Sequence, residues 1–427
     1  HGLGDARWEL SARQSLGAAL LSLGRTAAAL EQFRQVAAGG NWWNRWQGTL
    51  SVGAVREHRG EYRQAMACFD TALEIVETGT DPAEVAEGRL YIRSNVANVS
   101  LACGDYREAL RLAESWGADA SRLGRYDQYL EAQLTAAVCL LALGKHRGSR
   151  TRLERVLEHA RFLGDRGREA TARAWLCALL ADLGHFDEAR RQGRDALQAA
   201  LQTGCRRAGI FAHLHLADAY VRSGAPGDAL YHAGQGLEAA RELQAAGLEC
   251  PLQERLAAAR LAGGALPAAE AAAREALARA RELGLQHTAA SAAVVLARAL
   301  LAAGRPDDAR GQAEAALETA RRIGTPEVAW RAHHALVGAL AATGEWEAAL
   351  GSARQAVSLI EELRQPLQAE GEEDALLEEE DRLRAYLELA LLARRRGNTE
   401  EADGVIERAG WPPLAARFAA AVREEGR

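Results

Sequence analysis

Lysine and methionine are almost missing from this 427-residue chain: Lys145 is the one lysine and Met66 the one methionine. A phosphate loop of the form Gly-x-x-x-x-Gly-Lys-Ser/Thr would have to use Lys145, yet Cys139 stands where its first glycine belongs and His146 replaces its hydroxyl. ATP hydrolysis by that route is excluded. The six cysteines (Cys68, Cys103, Cys139, Cys177, Cys205 and Cys250) form no Cys-x-x-Cys pair, so neither a zinc site nor a disulfide framework is expected. They read as reduced, mostly buried small residues. No apolar run reaches the roughly 18 residues of a membrane span, and no basic segment precedes an apolar core at the N-terminus. A cytoplasmic location is therefore expected, and a start at His1 suggests a piece of a longer protein. Only 9 prolines interrupt the chain and no strand-like alternation stands out.

What is abundant is Ala, Leu, Arg and Glu, the helix formers. The 52 basic and 58 acidic residues are mixed along the chain for a net charge of −6, so no face is built to neutralise phosphates and nucleic-acid binding is not expected. No His-Glu-x-x-His or Gly-x-Ser-x-Gly occurs, and His213/His215 and His333/His334 are spaced too closely to share a helix face as metal ligands. Gly234-Gln235-Gly236-Leu237-Glu238-Ala239 matches a dinucleotide fingerprint only by chance, inside a helix with no strand before it. The chain reads as non-enzymatic, with no cofactor and no metal.

A glycine recurs at Gly24, Gly60, Gly104, Gly144, Gly184, Gly224, Gly264, Gly304, Gly344 and Gly397. It often opens the same phrase, as in Gly104-Asp105-Tyr106-Arg107-Glu108-Ala109 and Gly184-His185-Phe186-Asp187-Glu188-Ala189. The six consecutive intervals from Gly104 to Gly344 are all 40 residues, and a fixed period of this size means stacked supersecondary units. Seven residues before each marker sits a small residue such as Gly17, Gly53, Ala97 or Cys177, with Val337 the exception, and five after it another, such as Ala29, Ala65 or Ala109. These mark two helices crossing closely. Gly124, Gly164, Gly204, Gly284 and Gly324 close the second helix, and Thr325-Pro326-Glu327 reads as a cap, an N1 proline and a first-turn acid.

This spacing resembles the tetratricopeptide repeat over nearly the whole chain. The usual tryptophan of the first helix and the proline ending the unit are replaced. The longer period is similar to the sensor regions of large bacterial regulators, including maltose-activator-like and ATPase-linked proteins. The fold expected is all-α, a right-handed superhelical solenoid of about ten antiparallel helix pairs. Repeats one to nine are expected over 1–365, an acidic insertion over 366–381, the tenth repeat over 382–409 and a capping helix over 410–427. In the capping helix Leu414, Phe418 and Val422 form one stripe.

The resemblance implies that the first helices line a concave groove. Its groove positions, with neighbours, are Tyr91, Asn95, Asn98, Thr135, Trp175, His215, Asp218, Arg222, Arg255, Arg298, Arg331 and His334. Asn95 and Asn98 would hold an extended peptide backbone; the bland alternative is a solvated helix surface. Arg255, Arg298 and Arg331 would clamp a carboxylate or phosphate, or else form intrachain salt bridges.

Two further features stand apart. Trp42, Trp43 and Trp46 read as packing between the first two helix pairs, or as an exposed partner anchor. The acidic insertion reads first as a solvated loop and second as a docking site for a basic partner. The function expected is a binding region that holds a peptide or protein in its groove and regulates or recruits an attached or associated effector, in bacterial signalling or transcription control. The rivals are a sugar or anion sensor built around Trp175, Tyr91 and arginines, and a self-assembling scaffold.

Overall fold

The computed structural model describes residues 3–39, 41–371 and 374–425. Among these every regular element is helical, and the marker glycines lie in the turns of ten antiparallel hairpins. The first five hairpins pair Leu3–Ser22 with Thr26–Ala37, Trp42–His58 with Tyr62–Val76, Pro82–Cys103 with Tyr106–Arg122, Tyr126–Ala142 with His146–Leu163, and Arg166–Asp182 with Phe186–Thr203. The next five pair Arg206–Arg222 with Pro226–Glu242, Ala246–Ala262 with Leu266–Leu283, Gln286–Ala302 with Pro306–Ile323, Pro326–Ala342 with Trp346–Arg364, and Glu380–Arg395 with Thr399–Ala409. A last helix, Pro412–Glu425, covers the tenth hairpin with Leu414 and Phe418 buried and Val422 packed beside them.

The small residues work as crossing points. A Cβ added to Gly17 would stand 2.5 Å from the Phe33 ring, and one added to Gly53 would stand 2.3 Å from Phe69. Alanine suffices in later hairpins, where Ala97, Ala137, Ala217, Ala257 and Ala297 are fully buried. Each large side chain buried beside such a crossing, Phe69 or Leu153 for example, contributes about 2 kcal/mol relative to exposure. Thr325, read as a helix cap, makes no side-chain cap bond; it is buried, and Glu327 of that motif turns to other work.

The stack coils back upon itself. Gly24 meets Leu243, Gly60 meets Leu283, Gly104 meets Ile323 and Gly144 meets Leu363, each pair separated by more than five repeats. Polar contacts follow the same seam: Nε2 of His58 lies 2.6 Å from the Leu243 carbonyl, and Tyr106 packs edge-on to His287 at 5.9 Å. The turns of the early hairpins thus sit on the turns that join the later ones.

The acidic insertion is not a solvated loop. Two short 3-10 turns, Gln365–Glu370 and Ala375–Glu378, carry it to hairpin 5, where Leu367 and Leu376 join Leu179 and Leu183 in one apolar cluster. The acids hide three leucines, Leu367, Leu376 and Leu377, that bury fully in the fold. Glu378 stays exposed, whereas Glu379 is buried; Glu372 and Glu373 of the acidic run lie outside the described residues. Gly184 has φ +85°, and a Cβ there would stand 1.8 Å from the Ala375 carbonyl oxygen. Only glycine allows both that backbone and that approach.

The tryptophan triplet is no exposed anchor. Trp46 is buried, and Trp42 and Trp43 are half-buried against a cluster that includes Val76, Val85 and Tyr91, so their partners lie in hairpins 2 and 3. The rings meet edge to face at 5.6 and 5.2 Å, a favoured aromatic geometry.

Candidate functional site

Coiling encloses a cavity of about 1330 Å³ on the concave side, walled mainly by first helices of hairpins 3 to 9 and by residues 378–381. Nine of the twelve expected groove residues line it: Asn98, Thr135, Trp175, His215, Asp218, Arg222, Arg255, Arg298 and Arg331. Tyr91, Asn95 and His334 do not. Tyr91 packs with the tryptophan cluster, and Asn95 donates from Nδ2 to the Tyr91 carbonyl at 2.8 Å, so its amide serves its own helix. His334 pairs with Glu388 at 3.2 Å. The asparagine pair is therefore split, with Asn98 accepting from the Thr135 hydroxyl at 3.3 Å.

One part of the wall is aromatic and apolar. Trp175 lies 5.4 Å from Phe211 and 4.5 Å from His215, and the Arg207 guanidinium sits 5.7 Å above the Phe211 ring. Burial lowers His215 to about 4, so the ring is neutral near pH 7, and its Nε2 has no hydrogen-bond partner among the described residues. Phe211 was not read from the sequence. It precedes His215 by four residues on one helix, so a full i, i+4 reading of that face would have found it.

An adjoining part is a network of arginines and carboxylates. Arg222 contacts Asp182, Glu327 at 3.1 Å and Glu379 at 2.7 Å. Arg331 contacts Glu327 at 2.9 Å and Glu379 at 2.7 Å. Arg382, fully buried, contacts Glu327 at 3.0 Å and Glu379 at 3.2 Å, and donates to the Asp182 carbonyl at 2.9 Å. Arg255 holds Asp218 and Glu254, and Arg298 takes both oxygens of Asp381. Burial opposes the charge of Glu327, yet Arg382, Arg222 and Arg331 hold its carboxyl well below the usual range. Asp381 is likewise penalised by burial and still held at about 2, chiefly by Arg298. Glu254 is raised by burial, which Arg255 offsets only in part.

The arginines expected to clamp a ligand thus already hold carboxylates of the chain. Two of these, Glu379 and Asp381, come from the end of the insertion region. Glu327 and Arg382 went unread as site residues, because nothing in the sequence signals that hairpins 5, 6 and 9 meet there. Among the described residues no group of three or more His, Cys, Asp or Glu is placed to hold a metal ion. No described helix is long and apolar enough to cross a membrane.

Residues 289–323, within hairpin 8, match the tetratricopeptide repeat family, and their Gly304 turn repeats the geometry of the other nine. The fold is that of a tetratricopeptide-like solenoid. Among solved tetratricopeptide-like structures, a Rap protein complexed with Competence and Sporulation Factor is similar at TM-score 0.55 and 13% identity, covering 88% of this chain and 99% of that one. The APC/C hetero-tetramer Cut9-Hcn1 is similar at TM-score 0.50 and 12% identity, covering 95% of this chain and 84% of that one. A signal transduction ATPase with a tetratricopeptide repeat sensor from Pyrococcus horikoshii aligns at TM-score 0.45 and 14% identity, over 87% of this chain and 56% of that one. A comparison with curated proteins finds no match.

Proposed function

We propose that this chain is a non-catalytic binding and sensor region whose ligand, a peptide or protein segment, enters the concave cavity and thereby regulates or recruits an attached or associated effector. The carrying observation is the cavity of about 1330 Å³, larger than the roughly 300–1,000 Å³ of small-molecule sites and lined by the repeat's groove positions. The similar Rap protein, solved with Competence and Sporulation Factor, supports a binding role for such a solenoid. Trp175, Phe211 and Leu214 offer apolar contact, and Asn98 and Thr135 offer backbone-directed hydrogen bonds. Signalling or transcription control in a bacterial cytoplasm is the setting this reading favours. Coupling to an effector would follow from ligand preference for one degree of superhelix closure.

A sugar sensor is the second reading, favoured by the Trp175–Phe211 shelf. An anion sensor is not, because the cavity's central arginines already hold carboxylates. Affinity capture from source-cell extract with the chain, beside an Asn98→Ala, Trp175→Ala, Phe211→Ala variant, tests the first reading. A protein or peptide retained only by the unaltered chain supports it; equal retention by both removes the cavity from the account. A metabolite thermal-shift screen tests the second, since a saturating ligand raises the melting temperature.

A further inference from the structure

The seam that closes the superhelix has two free edges, and they complement each other. Along the seam, the turn joining one hairpin to the next presents an apolar residue at 40-residue spacing, Leu123, Leu163, Leu243, Leu283 and Ile323, with Thr203 interrupting the row between Leu163 and Leu243 and Leu363 ending hairpin 9. The last four lie under the glycine turns of hairpins 1 to 4, and Leu243, Ile323 and Leu363 are only 3 to 5% exposed. Leu123 and Leu163 are 39% and 53% exposed, and beside them Phe162 and Leu201 are 87% and 85% exposed. Among the described residues nothing covers this stretch of the row, although it continues a surface the chain covers elsewhere.

The glycine turns show the converse. A Cβ on Gly24 would stand 2.8 Å from Cα of Leu243, one on Gly60 3.3 Å from Leu283, and one on Gly144 2.6 Å from Leu363. One on Gly264, Gly304 or Gly344 would meet nothing within 4 Å. These later turns have the backbone of the early ones, with φ of +78, +75 and +81° against +75 and +76° at Gly24 and Gly60. They carry the shape that fits a leucine row, without a row to fit.

We infer that a second copy of this chain docks its open glycine turns, Gly264 to Gly344, on the exposed row Leu123, Phe162, Leu163 and Leu201. The contact repeats between copies the packing that closes the superhelix within one copy. It joins two different surfaces, so it is heterologous and can propagate from copy to copy. The inference does not depend on the cavity or its ligand, and it moves self-association away from Trp42, Trp43 and Trp46, whose rings are engaged inside the chain.

The test is the mass of the full chain by sedimentation and light scattering over a concentration series, with two variants. The row variant carries Phe162→Glu and Leu163→Glu; the turn variant carries Ala265→Glu and Ala303→Glu, at exposed turn positions of ordinary backbone conformation. Helical circular dichroism equal to the unaltered chain checks that both fold. The unaltered chain is expected to rise in mass with concentration, each variant alone to stay at the mass of one chain, and an equimolar mixture to form a 1:1 complex through its one intact pair of edges. An unaltered chain that remains one copy at every concentration overturns the inference and leaves the row to another occupant. Association that survives in the row variant, or a mixture that stays monomeric, overturns it equally.

Discussion

Asp381 faces Arg298 across the cavity wall in a bidentate pair, with Nη1 to Oδ2 at 2.8 Å and Nη2 to Oδ1 at 3.1 Å. A few residues of one segment thereby touch distant hairpins: Asp381 reaches hairpin 8, Glu379 reaches Arg222 of hairpin 6 and Arg331 of hairpin 9, and Leu376 reaches hairpin 5. The segment is a clasp on the closed turn, and its acids are ligands of the arginine wall supplied in cis.

The two clasp acids should differ in weight. Glu379→Gln leaves Arg222, Arg331 and Arg382 short of a buried partner, a loss of about 3–5 kcal/mol for a broken buried pair. Asp381→Asn affects a pair whose arginine is 36% exposed, so the loss should be about 1 kcal/mol or less. Melting temperatures of the two variants check the order: the Glu379 variant should fall clearly further.

The marker glycines should not be equivalent. Gly184→Ala meets the Ala375 carbonyl as well as an unfavourable φ, whereas Gly304→Ala meets only the φ of +75°. The second change should cost about 1–2 kcal/mol from backbone strain alone, and the first several-fold more. Chemical denaturation of both, with the turn-facing Gly184 variant less stable, is the expected result.

Gly184 and Gly304 are alike in sequence and differ only in what distant residues bring to them. The ten marker glycines, the small residues at helix crossings and the stripe Leu414, Phe418 and Val422 are all local patterns within one hairpin or its neighbour, so hairpin count and order were legible. Groove positions followed from the repeat, and nine of twelve line the cavity. Tyr91, Asn95 and His334 fell out because Tyr91 packs with the tryptophan cluster, the Asn95 amide serves its own helix and His334 pairs with Glu388. Contacts such as Gly24 with Leu243, or Arg382 with the Asp182 carbonyl, join residues about 200 apart and leave no periodic trace. The burial of Glu379 was illegible for the same reason, since its partners lie on three other hairpins or helices.

Acid should loosen the fold in two windows. His215 is lowered by burial to about 4 from an ordinary 6.5, so the unfolded chain takes up its proton first as pH falls. The stability carried by the neutral ring is whole above pH 6.5 and is lost as pH falls towards 4, on the order of 1.4 kcal/mol per pH unit. His287 is lowered in the same way, by burial first. Asp381, held at about 2 from 3.8, contributes stability above pH 3.8 that is lost as pH falls towards 2. Melting temperature against pH should therefore drop between 6.5 and 4, and His215→Gln should make that drop shallower.

Closure of the superhelix underlies the cavity, the clasp and the free edges alike, and small-angle X-ray scattering from the chain at its dilute, single-copy limit reads it directly. The expected result is the compact profile of a turn whose early hairpins sit on the later ones, with expansion on Glu379→Gln together with Gly184→Ala. An extended profile from the unaltered chain, with early and later hairpins apart, would contradict it.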